Sequence, residues 1–410
     1  MLSALASVVP AEVDVLVIGA GVAGAVAALA AASVHRAHTG ARPRVLLAER
    51  STWPREKVCG CCLGGGGISA LESLGVSRDN LRELGHALTS AQIRCSGGLI
   101  NLPLSGGMVI SRGALDSLLV RAAEARGVQF LPACQARVLM RWADGWRVGL
   151  KASGDSQAKP SHICAKTVIV ADGLGGHSLD DLECAEMLRP RIWRRSYMGL
   201  GATAQWGAVC DASGSDAVPN GRVVLCTGAG GYLGLARLRS GAVDLAAAID
   251  TRAVKDAGSP QAALLGLLSG SGLTVNGAWP ARMAGTALLT RRRQTVAMPG
   301  LLIVGDAAGY VEPFTGEGMT WAARGGAQAG MLAATCTPQL AAESWAQWHK
   351  GNVISQQRTC RVIARGLRVS ALASAAARVV SSVPAARKLA VRIAASLSAP
   401  SRELTRLELA

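Results

Sequence analysis

The sequence predicts an α/β fold: a Rossmann-type nucleotide-binding domain interleaved with an antiparallel-sheet domain, followed by a helical C-terminal tail. Apolar runs at residues 14–18 and 301–304 each end in a glycine and precede a helix of small residues. Between them, residues 179–281 alternate apolar positions with glycine-rich turns, which is typical of antiparallel strands. After residue 336 the apolar residues recur at helical spacing.

These observations predict a domain order. The two glycine-rich segments belong to one domain, which we expect in two parts, at 1–178 and 282–335. A crossover insert near 63–110 interrupts its first part, and the glycines at 64–67 are expected to be flexible. Residues 179–281 are expected to form the substrate-binding sheet domain, and 336–410 the helical region. A chain of 410 residues is long enough for this arrangement.

The first glycine-rich segment has the pattern of a dinucleotide site. Gly19 permits a tight turn, Gly21 lets the backbone approach a pyrophosphate, and Gly24 lets the next helix pack closely on the strand. The N-terminus of that helix favours a diphosphate. Glu49 follows the second strand, where a carboxylate binds ribose hydroxyls. The alternative is a glycine-rich strand–turn–helix without a ligand, since the chain has 49 glycines.

The second glycine-rich segment indicates which dinucleotide. Gly305 and Asp306 end a buried strand, and Asp306 could accept hydrogen bonds from the ribityl hydroxyls of a flavin. Pro313 breaks the chain, and Gly316 and Gly318 lead into a helix at 319–334. The N-terminus of this helix would stabilise negative charge on a reduced flavin ring. The two segments are expected to bind the two ends of one extended cofactor, and FAD has the length and chemical groups that this arrangement requires.

Four motifs occur in order between residues 13 and 334. They are Pro54-Arg55-Glu56-Lys57-Val58-Cys59-Gly60, Ser111-Arg112-Gly113-Ala114-Leu115-Asp116-Ser117-Leu118-Leu119, Ala171-Asp172-Gly173, and the run from Gly305 to Gly318. Together they resemble the FAD-dependent oxidoreductases of the p-hydroxybenzoate hydroxylase fold, and within these the geranylgeranyl reductase-like group. The combination is specific for the flavoprotein fold and much less specific for the reaction.

The resemblance implies a set of cofactor-binding residues. The first glycines and Glu49 would bind the ADP half of FAD, Arg112 and Asp306 the diphosphate and ribityl regions. Asp172 belongs to a motif that hydroxylases of this fold use for both FAD and the nicotinamide donor. The full expected set is Gly19, Gly21, Gly24, Glu49, Arg50, Lys57, Cys59, Gly60, Arg112, Asp172, Gly305, Asp306, Pro313, Gly316 and Gly318.

Cys59 is the expected catalytic residue. The resemblance places it in a loop close to the isoalloxazine ring, where a thiol could position the substrate or donate a proton. The alternative is a small apolar residue packed beneath the ring. Cys61 and Cys62 follow it without metal-ligand spacing, and no histidine lies close by, so no metal site is expected.

Two reactions are compatible with these motifs. The motif set favours reduction of C=C bonds in an isoprenoid, fatty or polyketide-type substrate, with NAD(P)H or a reduced ferredoxin-like carrier as donor. Hydroxylation of a hydrophobic small molecule is the alternative, because the segment at 232–238 lacks the tryptophan and Phe-Pro typical of prenyl reductases. The Trp-x-Trp-x-Ile-Pro signature of flavin halogenases is also absent. A non-catalytic, flavin-bound protein at a membrane surface is a further alternative.

Charge and cysteine content bear on partners and location. The net charge is +16, and arginines interleave with apolar residues after residue 358. This pattern is typical of a basic amphipathic helix on an anionic membrane, or of a helical cap packed on the main body, which we favour. Nucleic-acid binding is not expected, because no binding module accompanies the charge. Eleven scattered cysteines, no secretory signal in 1–10 and no long apolar stretch predict a cytoplasmic protein, with peripheral contact at the inner membrane surface left open.

Overall fold

A computed structural model describes residues 10–34, 40–95, 98–154, 160–193, 196–312, 316–367, 375–376, 378–380 and 382–398. Pro313, an expected cofactor-binding residue, lies outside these ranges. Within them, no helix is long and apolar enough to cross a membrane.

The first sheet has eight strands and a parallel centre. Its core order is β19-β20-β9-β1-β2-β6, and β8 and β7 extend it antiparallel from β9. Strands β1, β2, β6, β9 and β20 run parallel, so their carboxyl ends meet at one edge. Its strands are β1 (Glu12–Ile18), β2 (Val45–Ala48), β6 (Gln129–Leu131), β7 (Cys134–Trp142), β8 (Gly145–Ala152), β9 (Ser161–Val170), β19 (Ala297–Met298) and β20 (Leu301–Ile303).

Two helices of small residues pack on this sheet and on each other. Helix α1 (Val22–Ser33) is almost wholly buried because alanine and valine occupy every face. Helix α8 (Gly318–Thr335) lies against it, and its buried side presents glycine and alanine. The small side chains let two helices, each following a glycine turn, approach closely. The helix expected after the first glycine-rich segment is therefore present, and the one predicted at 319–334 is confirmed with one further residue at each end.

The second sheet also has eight strands, in the order β17-β11-β15-β14-β13-β4-β5-β3. All neighbours are antiparallel except β13 and β4. The insert near 63–110 contributes β3, β4 and β5 to the same sheet as the strands of 198–249. The strands are β3 (Cys62–Leu63), β4 (Gly85–Cys95), β5 (Gly98–Ile110), β11 (Met198–Ala204), β13 (Arg222–Gly228), β14 (Gly231–Arg237), β15 (Val243–Ile249) and β17 (Ala284–Leu288).

The glycines at 64–67 differ from the sequence-based expectation. They form no flexible crossover: α2 begins at Gly65, and the Gly64 N–H donates to Thr320 Oγ1 on α8 at 2.9 Å. Gly64 and Gly67 pack against Thr320 of α8, and the absence of side chains at these glycines lets the two segments approach closely. The prediction of flexibility was wrong, since glycine alone does not distinguish a hinge from a tight contact.

The remaining elements are short or lie near the C-terminus. The other helices are α2 (Gly65–Glu72), α3 (Arg78–Leu84), α4 (Arg112–Glu124), α5 (Ala185–Leu188), α6 (Thr251–Asp256), α7 (Pro260–Gly270), α9 (Pro338–His349), α10 (Ser355–Leu367) and α11 (Pro384–Ser398). Two small sheets comprise β10 (Arg191–Ile192), β18 (Arg291–Arg292) and β21 (Gly309–Tyr310), and β12 (Val209–Cys210) with β16 (Thr274–Val275).

The helical C-terminal region covers part of the second sheet. Ala390 and Val391 on α11, with Val380, pack against Ile100 and Leu102 of β5. This contact agrees with the cap interpretation of the basic helices. Other apolar side chains of the same region stay exposed, with Val379 at 50% and Leu389 at 58%.

Candidate active site

The glycine turn after β1 is built for close approach. Gly19 has φ +101°, in the left-handed region, and a β-carbon there would lie 2.5 Å from the Ala171 carbonyl oxygen. A β-carbon on Gly24 would lie 1.8 Å from the Gly19 carbonyl oxygen. Helix α1 then begins with no side-chain cap and no acidic residue in its first turn. Its N-terminal N–H groups are therefore available to an anion.

Two guanidinium groups lie over this turn. A β-carbon on Gly21 would lie 3.2 Å from Arg112 Nη2 and 3.6 Å from Arg55 Nη2. Both arginines are anchored by Asp116, which is completely buried: Arg112 binds it with two hydrogen bonds of 2.8 and 3.0 Å, and Arg55 Nη1 lies 3.4 Å from it. Burial alone would lower the pKa of Arg112, but Asp116 raises it above its ordinary value. The turn therefore carries fixed positive charge.

Glu49 lies beside the turn and is nearly buried. Its carboxylate accepts hydrogen bonds from the Ala20 and Ser51 N–H groups, both at 2.9 Å, and from Arg55 at 3.2 Å. Burial alone would raise the pKa of Glu49, but Arg55 and the two backbone donors outweigh it and the pKa is lowered. Glu49 is thus held ionised beside the glycine turn.

A cavity of about 220 Å³ runs along the turn between β1, β2 and the start of the Asp172 loop. Glu49, Arg50, Lys57 and Asp172 line it. Arg50 donates to the Gly175 carbonyl oxygen at 3.1 Å, and Asp172 accepts from the Ser178 N–H and hydroxyl at 3.1 and 2.6 Å. Asp172 therefore closes its own loop with these bonds while it faces the cavity.

A second, larger cavity of about 670 Å³ adjoins the first, and Gly21, Lys57 and Ala171 line both. It lies between the first sheet's carboxyl edge and the inner face of the second sheet. Most of its lining is apolar. The expected cofactor residues on its wall are Gly21, Lys57, Cys59, Gly60, Arg112, Gly305, Asp306, Gly316 and Gly318.

Residues of both glycine-rich segments therefore line the larger cavity. Asp306 lies 3.6 Å from Lys57 Nζ, which links the second segment to the Pro54–Gly60 motif. A β-carbon on Gly316 would lie 2.9 Å from the β-carbon of Cys62. The loop before α8 therefore directly contacts residues 59–62, which we call the cysteine loop. Among the expected residues that the structure describes, Gly24 alone lines neither cavity, and it supports the site through its contact with Gly19.

The cysteine loop presents neutral thiols. Burial raises the pKa of Cys59, and this effect exceeds the opposing effect of Arg112. Burial also raises the pKa of Cys61 well above its ordinary value, and Asp244 adds to it. None of these thiols has the lowered pKa of a nucleophilic cysteine. Among the described residues, no group of three or more His, Cys, Asp or Glu side chains could hold a metal ion.

Two residues of the site were not predicted. Arg55 joins Glu49 to Asp116 in one charge network, although the sequence motif that contains it was recognised. Asp244, on β15, lines the larger cavity, and burial raises its pKa to about 7. A signal for Asp244 was present in the sequence: it is the one carboxyl group in the apolar strand 243–249.

Replacing Asp244 with asparagine is expected to stabilise the protein at alkaline pH. Its pKa is higher in the folded state than in the unfolded state, so ionisation disfavours folding, and wild-type stability falls as the pH rises from about 4 to about 7. The free energy of unfolding of the variant should not fall over this pH range. At pH 8 it should exceed that of wild type by at most about 4 kcal/mol, because partial exposure of the side chain reduces the effect. Chemical denaturation at pH 5 and pH 8 measures it. Asp250→Asn, one residue after the same strand, is the control, and equal pH dependence in wild type and Asp244→Asn would contradict the prediction.

Replacing Glu49 with glutamine is expected to weaken FAD binding about tenfold. The amide loses the negative charge that Arg55 and the two N–H groups hold in place, and a charged acceptor to a ribose hydroxyl is worth about 1.5 kcal/mol or more. Titration of apoprotein with FAD, followed by quenching of flavin fluorescence, gives the dissociation constants. Glu124→Gln, an exposed glutamate on α4, is the matched control. If Glu49→Gln binds FAD as tightly as wild type does, Glu49 does not bind the ribose of FAD.

Comparison with known proteins gives the class of fold. No family model matches the chain, and no curated protein sequence matches it. Solved structures do: the flavin-dependent brominase Bmp2 is similar at 15% identity, over 94% of this chain and 93% of that one, with a TM-score of 0.72. A geranylgeranyl bacteriochlorophyll reductase-like protein from Thermoplasma acidophilum is 19% identical over 92% and 95%, with a TM-score of 0.71.

A third likeness is to PqsL, a probable FAD-dependent monooxygenase from Pseudomonas aeruginosa. It is 17% identical over 88% of this chain and 98% of that one, with a TM-score of 0.64. At such identities the likenesses show the fold alone. The chain thus has the fold of FAD-dependent flavoproteins along nearly its whole length, and the predicted fold class is confirmed.

Proposed function

We propose that this protein is an FAD-dependent oxidoreductase that reduces C=C bonds of an isoprenoid, fatty or polyketide-type substrate. One observation carries the proposal: an uncapped helix N-terminus, the Arg55 guanidinium and an ionised glutamate border a cavity that adjoins a larger, mostly apolar one, and Arg112 lies on the wall of the larger cavity. The first part suits a charged dinucleotide and the second a greasy substrate.

The donor set fits FAD group by group. Glu49 would bind the adenosine ribose, Arg55 and Arg112 the diphosphate, and the carboxyl-edge loop at Asp306 the ribityl chain. The N-terminus of α8 faces the far end of the larger cavity through Gly318 and Met319, where it would stabilise negative charge on a flavin ring. Bound FAD would supply the hydride chemistry.

The residues around the larger cavity then provide substrate binding and exclusion of water. The inner face of the second sheet carries small side chains at Gly234, Ala236 and Ala246, so the sheet leaves room for a chain or ring. Val223 and Leu225 on β13 extend this face with aliphatic contacts. Because the wall is apolar, it favours a substrate with little charge and excludes bulk water from the reacting atoms.

The competing function is hydroxylation of a hydrophobic small molecule. One feature favours it: the cavity lacks the tryptophan and Phe-Pro that prenyl reductases carry at 232–238. The structural similarity to a probable monooxygenase and to a reductase-like protein does not favour hydroxylation or reduction, because at these identities it shows the fold alone.

The deciding experiment measures product mass. Purified protein is first denatured and the released flavin identified as FAD; protein without FAD would overturn the proposal at once. The holoprotein, reduced anaerobically with dithionite or NADPH, is then incubated with host lipid extract and analysed by untargeted mass spectrometry. A gain of two hydrogens supports the reductase. In a parallel incubation the reduced holoprotein meets isotopically heavy O₂ in place of air. A product that gains one labelled oxygen there shows a monooxygenase and contradicts our proposal.

Within that function we propose that Cys59 acts at the reacting centre as a neutral thiol. It lines the larger cavity beside Gly60, and burial raises its pKa. Cys59→Ala is expected to lower kcat for product formation by about tenfold or more while FAD binding stays unchanged. Cys336→Ala, a half-buried cysteine at the end of α8, is the control. Full activity in Cys59→Ala would reduce Cys59 to a packing role.

We propose two kinds of partner. NAD(P)H or an acidic ferredoxin-like protein is the proposed electron donor, and the net positive charge of the chain would attract the acidic protein.

We also propose peripheral contact with an anionic membrane through α11, where exposed Leu389 lies among exposed Lys388 and Arg392 beside the cavity wall. Flotation with anionic but not neutral vesicles, lost in a Lys388→Glu/Arg392→Glu variant, would support this contact; equal flotation with both vesicles would contradict it.

A further inference from the structure

Asp244 is placed unusually for a carboxyl group. It lies on β15 in the second sheet, where it is paired with Ala236 of β14 on one side and with Thr203 of β11 on the other. Its neighbours on the cavity wall, Ala236 and Ala246, are small and apolar. A strand position that faces a greasy cavity ordinarily takes an apolar residue, so an aspartate here requires an explanation.

One oxygen of this carboxyl group has no partner. Asp244 Oδ2 is inaccessible to solvent and forms no hydrogen bond with any residue in the described part of the chain. The side chain does contact the Cys61 thiol, and Glu56, another acid, is close enough to act on it. An unsatisfied buried acceptor costs free energy, which a bound hydrogen-bond donor would recover.

Cys61 is held in an unusual conformation beside it. Its φ is +55°, in the left-handed region that non-glycine residues rarely adopt, and its side chain is buried. Such strained positions cluster at binding and catalytic sites, because the surrounding structure must maintain them. Here the turn places the thiol near Asp244, while its Sγ donates to the Cys59 carbonyl oxygen.

We propose that Asp244 is the specificity-determining residue of the larger cavity, and that its carboxyl group, after a rotation that turns the unpartnered oxygen to the cavity, accepts a hydrogen bond from a hydroxyl or amine N–H group on an otherwise apolar substrate. This inference rests on the proposed function, because it takes the larger cavity as the substrate site. It names the substrate class more narrowly: a mostly hydrocarbon molecule with at least one donor group. Cys61 is a positioning residue, since it acts through Asp244.

The test compares probes that differ only in the donor. Farnesol, geranylgeraniol and 2-naphthol are each paired with their methyl ethers, which keep the shape and lose the O–H. Isothermal titration calorimetry on the FAD-loaded protein gives the affinities. For at least one pair, wild type is expected to bind the alcohol about tenfold more tightly than the ether, and Asp244→Ala should reduce this ratio to about one. Asp250→Asn, on the loop after β15, should keep the wild-type ratio.

Asp244→Asn separates recognition from folding. The amide oxygen still accepts a hydrogen bond, so this variant should retain part of the preference for the alcohol while Asp244→Ala loses it. The same ratio in wild type and in a folded Asp244→Ala that retains FAD overturns the proposal, as does the absence of any preference in all three pairs. Failure of the proposed function shows differently, as a protein without FAD or as a product that gains oxygen.

Discussion

A methyl group added at Gly24 is expected to abolish FAD retention and to destabilise the protein by about 4 kcal/mol or more. The new β-carbon would lie 1.8 Å from the Gly19 carbonyl oxygen and 3.0 Å from the Ala171 side chain. Neither partner can yield easily, because one is backbone in the turn and the other follows the central strand β9. Helix α1 must therefore move away from β1, and the cradle for the diphosphate opens.

Gly24→Ala is measured by denaturant unfolding and by the FAD content of the purified protein. Gly266→Ala is the matched control: Gly266 lies in the exposed face of helix α7, with nothing within 4 Å of its added β-carbon. That control should be slightly more stable than wild type, since alanine is the better helix former. A Gly24→Ala variant with normal stability and a full complement of FAD would show that the close approach is not required.

Gly24 also shows why this part of the fold was predictable. The spacing of Gly19 and Gly24 reflects contacts within six consecutive residues and with Ala171 after one neighbouring strand, so a local pattern is enough to specify it. Glu49 was predictable for the same reason, because it directly follows a strand that pairs with β1. Strand and helix limits in this region agreed with expectation to within a few residues.

The second sheet was harder to predict because its partners are far apart in the sequence. The parallel pairing of β4 with β13 joins segments more than a hundred residues apart, and no local signal encodes it. The packing of Gly64 against Thr320 has the same origin, and so the glycine run was misinterpreted as flexible. Asp244 belongs to this group: its burial depends on which strands lie beside β15 and on the cysteine loop opposite.

Replacing Arg112 with methionine is expected to cost both stability and FAD. Asp116 is completely buried and accepts two hydrogen bonds from Arg112, so the variant leaves an incompletely compensated carboxylate with only Arg55 near it. Breaking a buried ion pair on one side typically costs about 3–5 kcal/mol. FAD affinity should fall at least tenfold, because one of the two cations over Gly21 is lost.

The double variant Arg112→Met/Asp116→Leu separates the two effects. Removing both charges eliminates the unpaired carboxylate, so most of the stability is expected to return. FAD affinity should stay low, because methionine offers nothing to a diphosphate. Arg121→Met, an exposed arginine on the same helix α4, controls for loss of charge alone. If the double variant recovers stability and FAD affinity together, Arg112 supports the site only by holding Asp116, and the diphosphate must rely on Arg55 and the N-terminus of α1.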